Sequence, residues 1–418
     1  MIVPSIDLQG GQTVQLIGGK ELAIEAGDPR PIAQRFGRVG EIAVIDLDAA
    51  MRKGDNAALI ADLLPLARCR VGGGIRDEAR ARAWLDAGAA KVILGTAAVP
   101  ELLRRLPRER VIAALDAVDG EVVVDGWRTR TGHGIAERMA ELRPFVGGFL
   151  VTFVEREGRL GGTAIERVKP LVEAAGDARL TIAGGVTTAE EVGELDRLGA
   201  DAQVGMALYS GRLSLADAFA APLISDRPDG LWATLVCDER GAALGLAWSN
   251  AESLRRAIDT GRGVYWSRKR GLWEKGATSG ATQELLAVAL DCDRDALRFT
   301  VRQSGPFCHL GSSGCFGEAG GLDGLARTLE QRKVSAPEGS YARRLFEDPG
   351  LLRAKLVEEA AELAEAASHH EVVHEAADLI FFAHVAMARS GVRLAEVEAE
   401  LDRRALRLSR RPGDAKEP

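Results

Sequence analysis

Three aspartates alternate with other residues in the segment DCDRD, residues 291–295. On an extended backbone, Asp291, Asp293 and Asp295 would project to one face and Cys292 to the other. Carboxylates prefer hard cations such as Mg²⁺, whereas thiolates prefer softer ions such as Zn²⁺. The spacing therefore predicts two metal sites of different character and a hydrolytic chemistry.

Three of the five cysteines, Cys292, Cys308 and Cys315, lie within 24 residues of each other, and His309 accompanies them. Free cysteines often pack as small buried hydrophobes, but this density beside acids favours metal binding. Three thiolates leave the fourth position of a tetrahedral zinc ion to water, as in catalytic zinc sites. The same cysteine usage fits a reducing cytosol better than a disulfide framework.

Length and composition indicate a globular protein of two or three domains. The chain has 418 residues, 28% of them charged and 46% hydrophobic, and a formal net charge of −7. This charge argues against general nucleic-acid or membrane binding but permits local basic pockets for phosphates. The N-terminus has no leader pattern, and no apolar run reaches the length of a membrane span. We expect a cytoplasmic protein.

Short apolar runs alternate with amphipathic patterns through residues 1–222, which predicts a (β/α)₈ barrel. Helical patterns such as 77–87 and 189–198 follow the strands. The eight predicted strands are Ile2–Leu8, Ile42–Leu47, Cys69–Gly72, Lys91–Leu94, Val111–Leu115, Gly148–Phe153, Leu180–Ala183 and Ala202–Val204.

The barrel region contains an internal repeat in which a glycine pair ends one strand and a further glycine ends the next. Gly74 precedes Gly95 by 21 residues, and Gly185 precedes Gly205 by 20. Glycines allow backbone N–H groups to approach a phosphate, although tight βα turns are the alternative explanation. Two such sites suit a substrate with a phosphate at each end. The predicted binding residues are Gly73, Gly74, Gly95, Thr96, Gly184, Gly185 and Gly205.

The motifs PSIDL, VIDLDAA, VGGGIR, LGTAA, DGW, AGGV and VGMALY resemble the histidine-biosynthesis isomerase that converts an N′-formimino aminoaldose ribotide to its aminoketose. The resemblance covers nearly all of residues 1–222. It implies an Amadori rearrangement in which one carboxylate acts as base and another as acid. It also implies that Asp7 is the first catalytic aspartate and that Trp127 stacks on the substrate.

The sixth strand departs from the family pattern, because Phe153 stands where the family has an aspartate after Thr152. Glu155 lies two residues further on, so on an extended strand it would point to the same face and could replace the missing acid. Gln15 also replaces a usual arginine. The alternative hypothesis is a barrel that binds bis-phosphorylated ligands or partner enzymes as a non-catalytic scaffold.

Residues 226–320 predict an α+β domain with a hairpin around 239–241, a helix at 251–260 and strands at 284–290 and 296–303. Aromatic and basic residues are interleaved in YWSRKRGLW. This pattern is typical of a strand with a solvated basic face, or of a nucleotide-binding surface. The candidate nucleotide-binding residues are Trp266, Arg268, Arg270, Thr278 and Ser279.

The motifs GRGVYWSR, WEKG, TSG, DCDRDALRF and FCHL with the later CF resemble phosphoribosyl-AMP cyclohydrolase, which adds water to the adenine ring and opens it. The resemblance implies zinc on the three cysteines named above and magnesium on the three aspartates. His309 would shuttle protons. Because the family's cysteines come from two subunits, the resemblance also implies a homodimer formed through this domain.

Residues 322–410 predict helices that carry acids three and four positions apart, followed by a polar tail at 411–418. Such acids are often a solvated face, but acidic clusters on facing antiparallel helices form Mg²⁺ sites. EExxE followed by ExxD, with PEGSY upstream, resembles the all-α phosphoribosyl-ATP pyrophosphohydrolase. The implied magnesium ligands are Glu358, Glu359, Glu362, Glu375 and Asp378.

The three resemblances name consecutive reactions. The C-terminal domain would convert phosphoribosyl-ATP to phosphoribosyl-AMP, the middle domain would open its purine ring, and the barrel would isomerise the product. The predicted partners are therefore ribotide phosphates, with Zn²⁺ and Mg²⁺ as cofactors.

Overall fold

The computed structural model describes residues 1–124 and 126–409. Asp125 of the DGW motif and the tail predicted at 411–418 lie outside the described residues. By contacts the chain divides into two compact units, residues 1–305 with 406–409, and residues 306–405. The predicted barrel and most of the predicted middle domain therefore lie in the first unit. The domain boundaries at 222–226 and 320–322 stay predictions.

Eight parallel strands close into a barrel, which confirms the predicted fold of the first region. Closure occurs where Ile2–Pro4 pair with residues 202–204 and where residues 148–153 pair with residues 112–117. The barrel strands are β1 (Ile2–Gln9), β4 (Ile42–Asp46), β5 (Cys69–Gly72), β6 (Lys91–Leu94), β7 (Val111–Val118), β10 (Gly148–Phe153), β11 (Arg179–Ala183) and β12 (Ala200–Val204).

Helices follow the barrel strands, and polar caps define several of their starts. Asp77 caps the helix Glu78–Ala87 by accepting a hydrogen bond from the Arg80 amide at 2.8 Å. Thr188 forms a capping box with Glu191 at the start of the helix Ala189–Arg197. The helices are α1 (Pro29–Gly37), α2 (Leu47–Met51), α3 (Ala57–Leu63), α4 (Glu78–Ala87), α5 (Pro100–Leu103), α6 (Ile135–Leu142), α7 (Val168–Ala175), α8 (Ala189–Arg197), α9 (Met206–Tyr209) and α10 (Leu215–Ala220).

Two β-hairpins extend the barrel beyond the predicted elements. One is formed by β2 (Gln12–Ile17) and β3 (Glu21–Gly27), and the other by β8 (Glu121–Val124) and β9 (Thr129–Gly134). Each follows the carboxyl end of a barrel strand, so both add walls to that end of the barrel. The sequence alternates only weakly between apolar and polar residues in these hairpins, because β3 and β9 have no buried residue.

The second part of this unit is a four-stranded sheet in the order β14 (Ala243–Ser249), β13 (Trp232–Cys237), β18 (Ala296–Gln303), β17 (Gln283–Leu290). The predicted hairpin, helix and strands are all present. The elements are β13 (Trp232–Cys237), β14 (Ala243–Ser249), α11 (Ala251–Thr260), the ribbon of β15 (Val264–Ser267) and β16 (Gly271–Glu274), β17 (Gln283–Leu290) and β18 (Ala296–Gln303).

The sheet is hydrogen-bonded to the barrel. The Val288 amide donates to the Arg38 carbonyl at 2.7 Å, and the Arg38 guanidinium donates to the Ile258 carbonyl at 2.8 Å. Arg35 forms an ion pair with Asp259 at 3.0 Å. The β17 strand and α11 helix are therefore held against the loop that follows α1.

The second unit is helical, as predicted, with a core formed by Leu329, Leu345, Leu352, Phe382 and Val385. The predicted break at 337–339 separates the first two helices, and the short second helix was not predicted. The helices are α12 (Gly321–Ser335), α13 (Tyr341–Glu347), α14 (Pro349–Glu365), α15 (His369–Arg389) and α16 (Leu394–Ala405). In neither described range is a helix both long and apolar enough to cross a membrane.

A buried ionic network occupies the barrel at the end opposite the glycine pairs. Asp201, 2% exposed, accepts two hydrogen bonds from Arg179 at 2.6 and 2.7 Å. Arg70 donates to Thr181 at 3.0 Å and to Glu41 at 2.7 Å. Burial opposes ionisation of Asp201, but the Arg179 hydrogen bonds and nearby positive charges lower its pKa from 3.8 to about 2.

This depressed pKa predicts an acid-sensitive contribution to stability. Asp201 stabilises the fold fully above pH 3.8, and the contribution of about 2 kcal/mol is lost as the pH falls through about 2. In urea denaturation, the difference in free energy of unfolding between the wild type and Asp201→Asn should therefore shrink below pH 4. The control is Asp177, which forms an exposed ion pair with Arg108. Asp177→Asn should change the free energy of unfolding little. A difference for Asp201→Asn that stays constant from pH 5 to pH 2 would contradict the assignment.

Candidate active sites

A cavity of about 710 Å³ lies at the carboxyl ends of the barrel strands, where the active sites of such barrels are found. The structure brings together at this cavity nine of the residues predicted from the sequence. They are Asp7, Gly73, Gly74, Gly95, Thr96, Trp127, Gly184, Gly185 and Gly205.

The two glycine pairs end β5 and β11 in left-handed conformations that leave no room for side chains. Gly73 has φ +91°, and a Cβ atom there would lie 2.2 Å from the Asp46 carbonyl oxygen. Gly184 has φ +88°, and its Cβ would lie 2.4 Å from the Phe153 carbonyl oxygen. Only glycine fits both positions, and both turns line the cavity. The phosphate-binding role stays a prediction.

Three carboxylates line the cavity, and we call Asp7, Asp116 and Glu157 the barrel acids. Asp7, on β1, accepts a hydrogen bond from Ser5 Oγ at 2.9 Å. Asp116, on β7, accepts one from Trp127 Nε1 at 2.8 Å. Glu157 lies in the loop after β10, where its carbonyl accepts from the Gly18 amide at 3.2 Å.

The barrel acids have raised pKa values because the cavity shields them from water. Burial raises the pKa of Asp7 to about 6, although the Ser5 hydrogen bond opposes the shift. Burial, together with the negative charges of Asp7 and Asp116, raises the pKa of Glu157 to about 7. Burial also raises the pKa of Asp116, while hydrogen bonds from Trp127 and Thr152 oppose it. Such values near neutrality suit proton transfer.

The structure does not place Glu155 in this cavity. The strand β10 ends at Phe153 and a 3₁₀ turn follows over Val154–Arg156, so the two-residue alternation assumed from the sequence does not continue. Glu155 instead forms an ion pair with Arg167 at 3.0 Å. Phe153 is fully buried in the core. Although Phe153 stands where the family has an aspartate, acids still line the cavity. Two of them, Asp116 and Glu157, were missed by sequence reasoning.

Asp116 and Glu157 could have been found from the sequence by a different assignment of strand ends. The predicted fifth strand stopped at Leu115, whereas β7 continues to Val118 and carries Asp116 at the mouth of the barrel. Glu157 precedes Gly158, whose φ of +70° turns the loop back over Leu16. In the sequence, the signal for Glu157 was an acid that immediately precedes a glycine in the loop after β10.

In the sheet, the loop between β17 and β18 gathers three aspartates, and we call residues 291–295 the aspartate loop. Carboxylate oxygens of Asp291, Asp293 and Asp295 lie within 4.8 Å of one another. The segment is a bend rather than an extended strand, so they converge through the turn and not through strand alternation. Asp291 Oδ1 accepts from the amides of Asp295 and Ala296 at 3.0 and 3.2 Å. The hydrogen bond with Asp291 and the charge of Asp293 raise the pKa of Asp295.

The predicted zinc ligands are distributed over both units. Cys292 is exposed in the first unit, and Cys308, His309 and Cys315 lie in a loop of the second. Hydrogen bonds from the Leu310 amide and from the side chains of Ser312 and Cys315 lower the pKa of Cys308, and burial opposes the shift. A thiol that ionises readily is the form that binds metals. The zinc assignment stays a prediction.

The predicted nucleotide-binding residues lie on or just after the ribbon of β15 and β16. Trp266 is half-buried, whereas Arg268, Arg270, Thr278 and Ser279 are exposed. The Arg268 guanidinium lies 5.4 Å from the Trp248 ring centroid and that of Arg270 lies 5.7 Å from Trp273. The arginines therefore rest on aromatic faces with their donors accessible, and a role in phosphate binding stays a prediction.

In the helical unit, α14 and α15 present facing carboxylates that we call the helix acids: Glu358, Glu359, Glu362, Glu375 and Asp378. Ligand atoms of the first three lie within 4.8 Å of one another, and those of Glu375 and Asp378 do so with His374. Burial, neighbouring negative charges and a hydrogen bond with Glu375 raise the pKa of Glu362. This contact joins the two helices at their acids. Lys355 neutralises part of the cluster at 2.8 and 2.7 Å from Glu358 and Glu359.

Three family models match the chain in sequence order. The model described as histidine biosynthesis protein matches residues 1–214, just over half of the chain. The phosphoribosyl-AMP cyclohydrolase model matches residues 245–317, and the phosphoribosyl-ATP pyrophosphohydrolase model matches residues 322–405.

Relatives include multifunctional proteins and an isomerase. The histidine biosynthesis trifunctional protein of Komagataella pastoris is 43% identical over 304 residues, 68% of this chain and 36% of that protein. The trifunctional protein of Neurospora crassa is 54% identical over 207 residues, 50% of this chain and 24% of that protein. The chain thus spans about a quarter to a third of the length of these two relatives.

A third relative matches over almost its whole length. The 1-(5-phosphoribosyl)-5-((5-phosphoribosylamino)methylideneamino)imidazole-4-carboxamide isomerase of Methanocorpusculum labreanum is 39% identical over 235 residues, 53% of this chain and 98% of that protein. The chain therefore belongs to the histidine biosynthesis protein family, as a fusion of an isomerase-family barrel with regions of the two hydrolase families.

Proposed function

We propose that this chain catalyses three consecutive steps of histidine biosynthesis: pyrophosphate release from phosphoribosyl-ATP, opening of the adenine ring of phosphoribosyl-AMP, and aminoaldose–aminoketose isomerisation. The observation that carries the isomerase assignment is the convergence of the barrel acids on a cavity with two glycine turns. The name of the Methanocorpusculum relative describes a compound with two phosphoribosyl groups. Two phosphate-binding turns match such a substrate.

The barrel acids have the properties that an Amadori rearrangement needs. A proton given to the ribose ring oxygen opens the sugar, and removal of the proton at C2 then leads to the ketose. Glu157, with a pKa of about 7, keeps its proton in about half of the molecules at neutral pH and is our candidate acid. Asp7, with a pKa of about 6, is largely ionised and is our candidate base. Asp116 holds Trp127 beside the substrate through its 2.8 Å hydrogen bond.

For ring opening, we assign a divalent cation such as Mg²⁺ to the aspartate loop and zinc to Cys292, Cys308 and Cys315. Three carboxylates converge, and the hydrogen bond with Asp291 and the charge of Asp293 raise the pKa of Asp295, which fits a hard cation. A thiol of Cys308 with a lowered pKa fits a soft one. Zinc, when bound, would supply Lewis-acid activation of water. Exposed His309 would move the proton. A homodimer and a cytoplasmic location, which keeps the thiols reduced, belong to the same proposal.

For pyrophosphate release, we assign Mg²⁺ to the helix acids. Their carboxylates face each other from α14 and α15, and the pKa of Glu362 is raised by burial and by neighbouring negative charges that a cation would neutralise. Magnesium would balance the charge of the phosphates and of the departing pyrophosphate. Lys355 keeps Glu358 and Glu359 oriented toward the same face of α14.

Substitution of the barrel acids tests the isomerase assignment and separates it from the scaffold alternative. Asp7→Asn and Glu157→Gln should each lower isomerase turnover of the full chain by about 10²–10⁴-fold, because each removes one proton-transfer group. The matched control is Glu155→Gln, which should stay close to wild type because Glu155 faces Arg167. Equal losses in Glu155→Gln and Glu157→Gln would contradict the assignment. A wild-type chain that binds the ribotide without turnover would establish the scaffold.

The raised pKa values predict a narrow pH optimum for isomerisation. The ratio kcat/KM should rise toward pH 6 as Asp7 loses its proton, and should fall above about pH 7 as Glu157 loses its own. The Glu157→Gln variant should lack the decline at high pH in whatever activity remains. A rate that keeps rising to pH 9 would contradict Glu157 as the acid.

Metal removal should separate the barrel from the two hydrolases. Dialysis against EDTA should abolish both hydrolytic steps, while isomerisation of supplied aminoaldose persists, because the proposed mechanism of the barrel acids uses proton transfer alone. Zinc and magnesium added together should restore both hydrolytic steps, whereas magnesium alone should restore only pyrophosphate release. Loss of isomerase turnover on chelation would contradict the proposed division of labour.

A further inference from the structure

Arg294, the fourth residue of the aspartate loop, has a backbone conformation that few residues other than glycine adopt. Its φ is +67°, in the left-handed region that glycine and asparagine favour. Such a conformation is unfavourable for other residues and persists only where the surroundings hold it in place. The loop that gathers three like-charged carboxylates is therefore held in an unfavourable shape by contacts outside its own backbone.

Those contacts come from the barrel and from the segment that follows it. Arg294 Nε and Nη2 donate to the two carboxylate oxygens of Asp196 at 3.1 and 3.2 Å. Arg294 Nη1 also donates back to the Asp291 carbonyl at 2.8 Å. The Ile224 amide, in the segment after α10, donates to the Arg294 carbonyl at 2.9 Å.

Asp196 is built to act as an anion at this position. It lies on α8 of the barrel, 98 residues before Arg294, and its side chain is only 11% exposed. Burial opposes ionisation, but hydrogen bonds from Arg294 and from the α-amino group of Met1 lower its pKa. A two-pronged, half-buried arginine–carboxylate pair of this kind fixes orientation as well as distance.

We propose that Asp196 of the barrel is a positioning residue for the cation site of the aspartate loop, acting through Arg294. The pair holds Arg294 in its left-handed conformation, and Arg294 in turn fixes the Asp291 carbonyl and the start of the loop. Without it, repulsion among the three carboxylates opens the loop. The proposal rests on the proposed function in which this loop holds a divalent cation.

A second ion pair between barrel and sheet serves as the matched control. Arg255 on α11 donates to Asp217 on α10 at 2.6 Å, so it also joins the two parts of the unit. Neither residue contacts the aspartate loop in the described structure. If Asp196 merely held the sheet against the barrel, Asp217→Ala and Asp196→Ala would have similar effects. If Asp196 positions the loop, only Asp196→Ala affects cation binding.

The experiment measures Mn²⁺ affinity by electron paramagnetic resonance in zinc-loaded full chain, with Glu358→Gln and Glu362→Gln in every variant to silence the helix acids. Asp196→Ala should weaken Mn²⁺ binding about tenfold, the effect expected for loss of a charge-assisted hydrogen bond. Arg294→Gly should weaken it similarly, although glycine accepts the left-handed backbone without strain. The double variant should be no weaker than either single one. Asp217→Ala should bind as the parent does.

Hydrogen exchange of residues 290–296 in the metal-free protein gives an independent measurement. Exchange in this segment should be faster in Asp196→Ala than in Asp217→Ala, while exchange in β13 stays unchanged in both. Wild-type affinity and loop exchange in Asp196→Ala, or wild-type affinity in Arg294→Gly, would overturn the positioning role. Asp293→Asn identifies failure of the underlying cation site, because unchanged Mn²⁺ affinity in that variant would overturn the proposed function of the loop and the positioning role with it.

Discussion

Carboxylates that are held close together repel each other, and the fold must offset this repulsion in three separate places. In the barrel, burial and mutual repulsion raise the pKa values of the acids, so that the pKa of Glu157 lies near neutrality. In the aspartate loop and among the helix acids, carboxylate oxygens lie within 4.8 Å of one another, and the arrangement calls for cations. The same electrostatic constraint therefore produces acid–base chemistry in one region and proposed metal chemistry in the other two.

The barrel has two roles in this account. Its mouth carries the acids and glycine turns of the proposed isomerase site. Its outer helix α8 and the segment after α10 hold the aspartate loop of the neighbouring sheet through Asp196 and Ile224. Because the barrel and sheet form one compact unit, a substitution on α8 can reach the proposed cation site without touching the isomerase cavity. Fusion then contributes geometry as well as proximity.

Sequence reasoning predicted the parts of this structure whose pattern is local. The spacing of apolar residues predicts the eight barrel strands and the helices that carry acids. The positions of the glycines predict the glycine turns. What it missed depended on where elements end: Asp116 lies just past the predicted end of its strand, and the alternation assumed for Glu155 fails at a 3₁₀ turn. The short helix α13 and the Asp196–Arg294 pair are tertiary features. No local pattern marks an ion pair between residues 98 positions apart.

The central claim is that one chain carries out three consecutive reactions, and its least expected part is an active barrel despite Phe153. The most direct measurement follows all ribotide species over time when the full chain is supplied with phosphoribosyl-ATP, Mg²⁺ and Zn²⁺. The account predicts that phosphoribosyl-AMP and then the ring-opened aminoaldose appear transiently, and that the aminoketose accumulates. Accumulation of the aminoaldose with no aminoketose, in a chain whose two hydrolytic steps proceed, would contradict it.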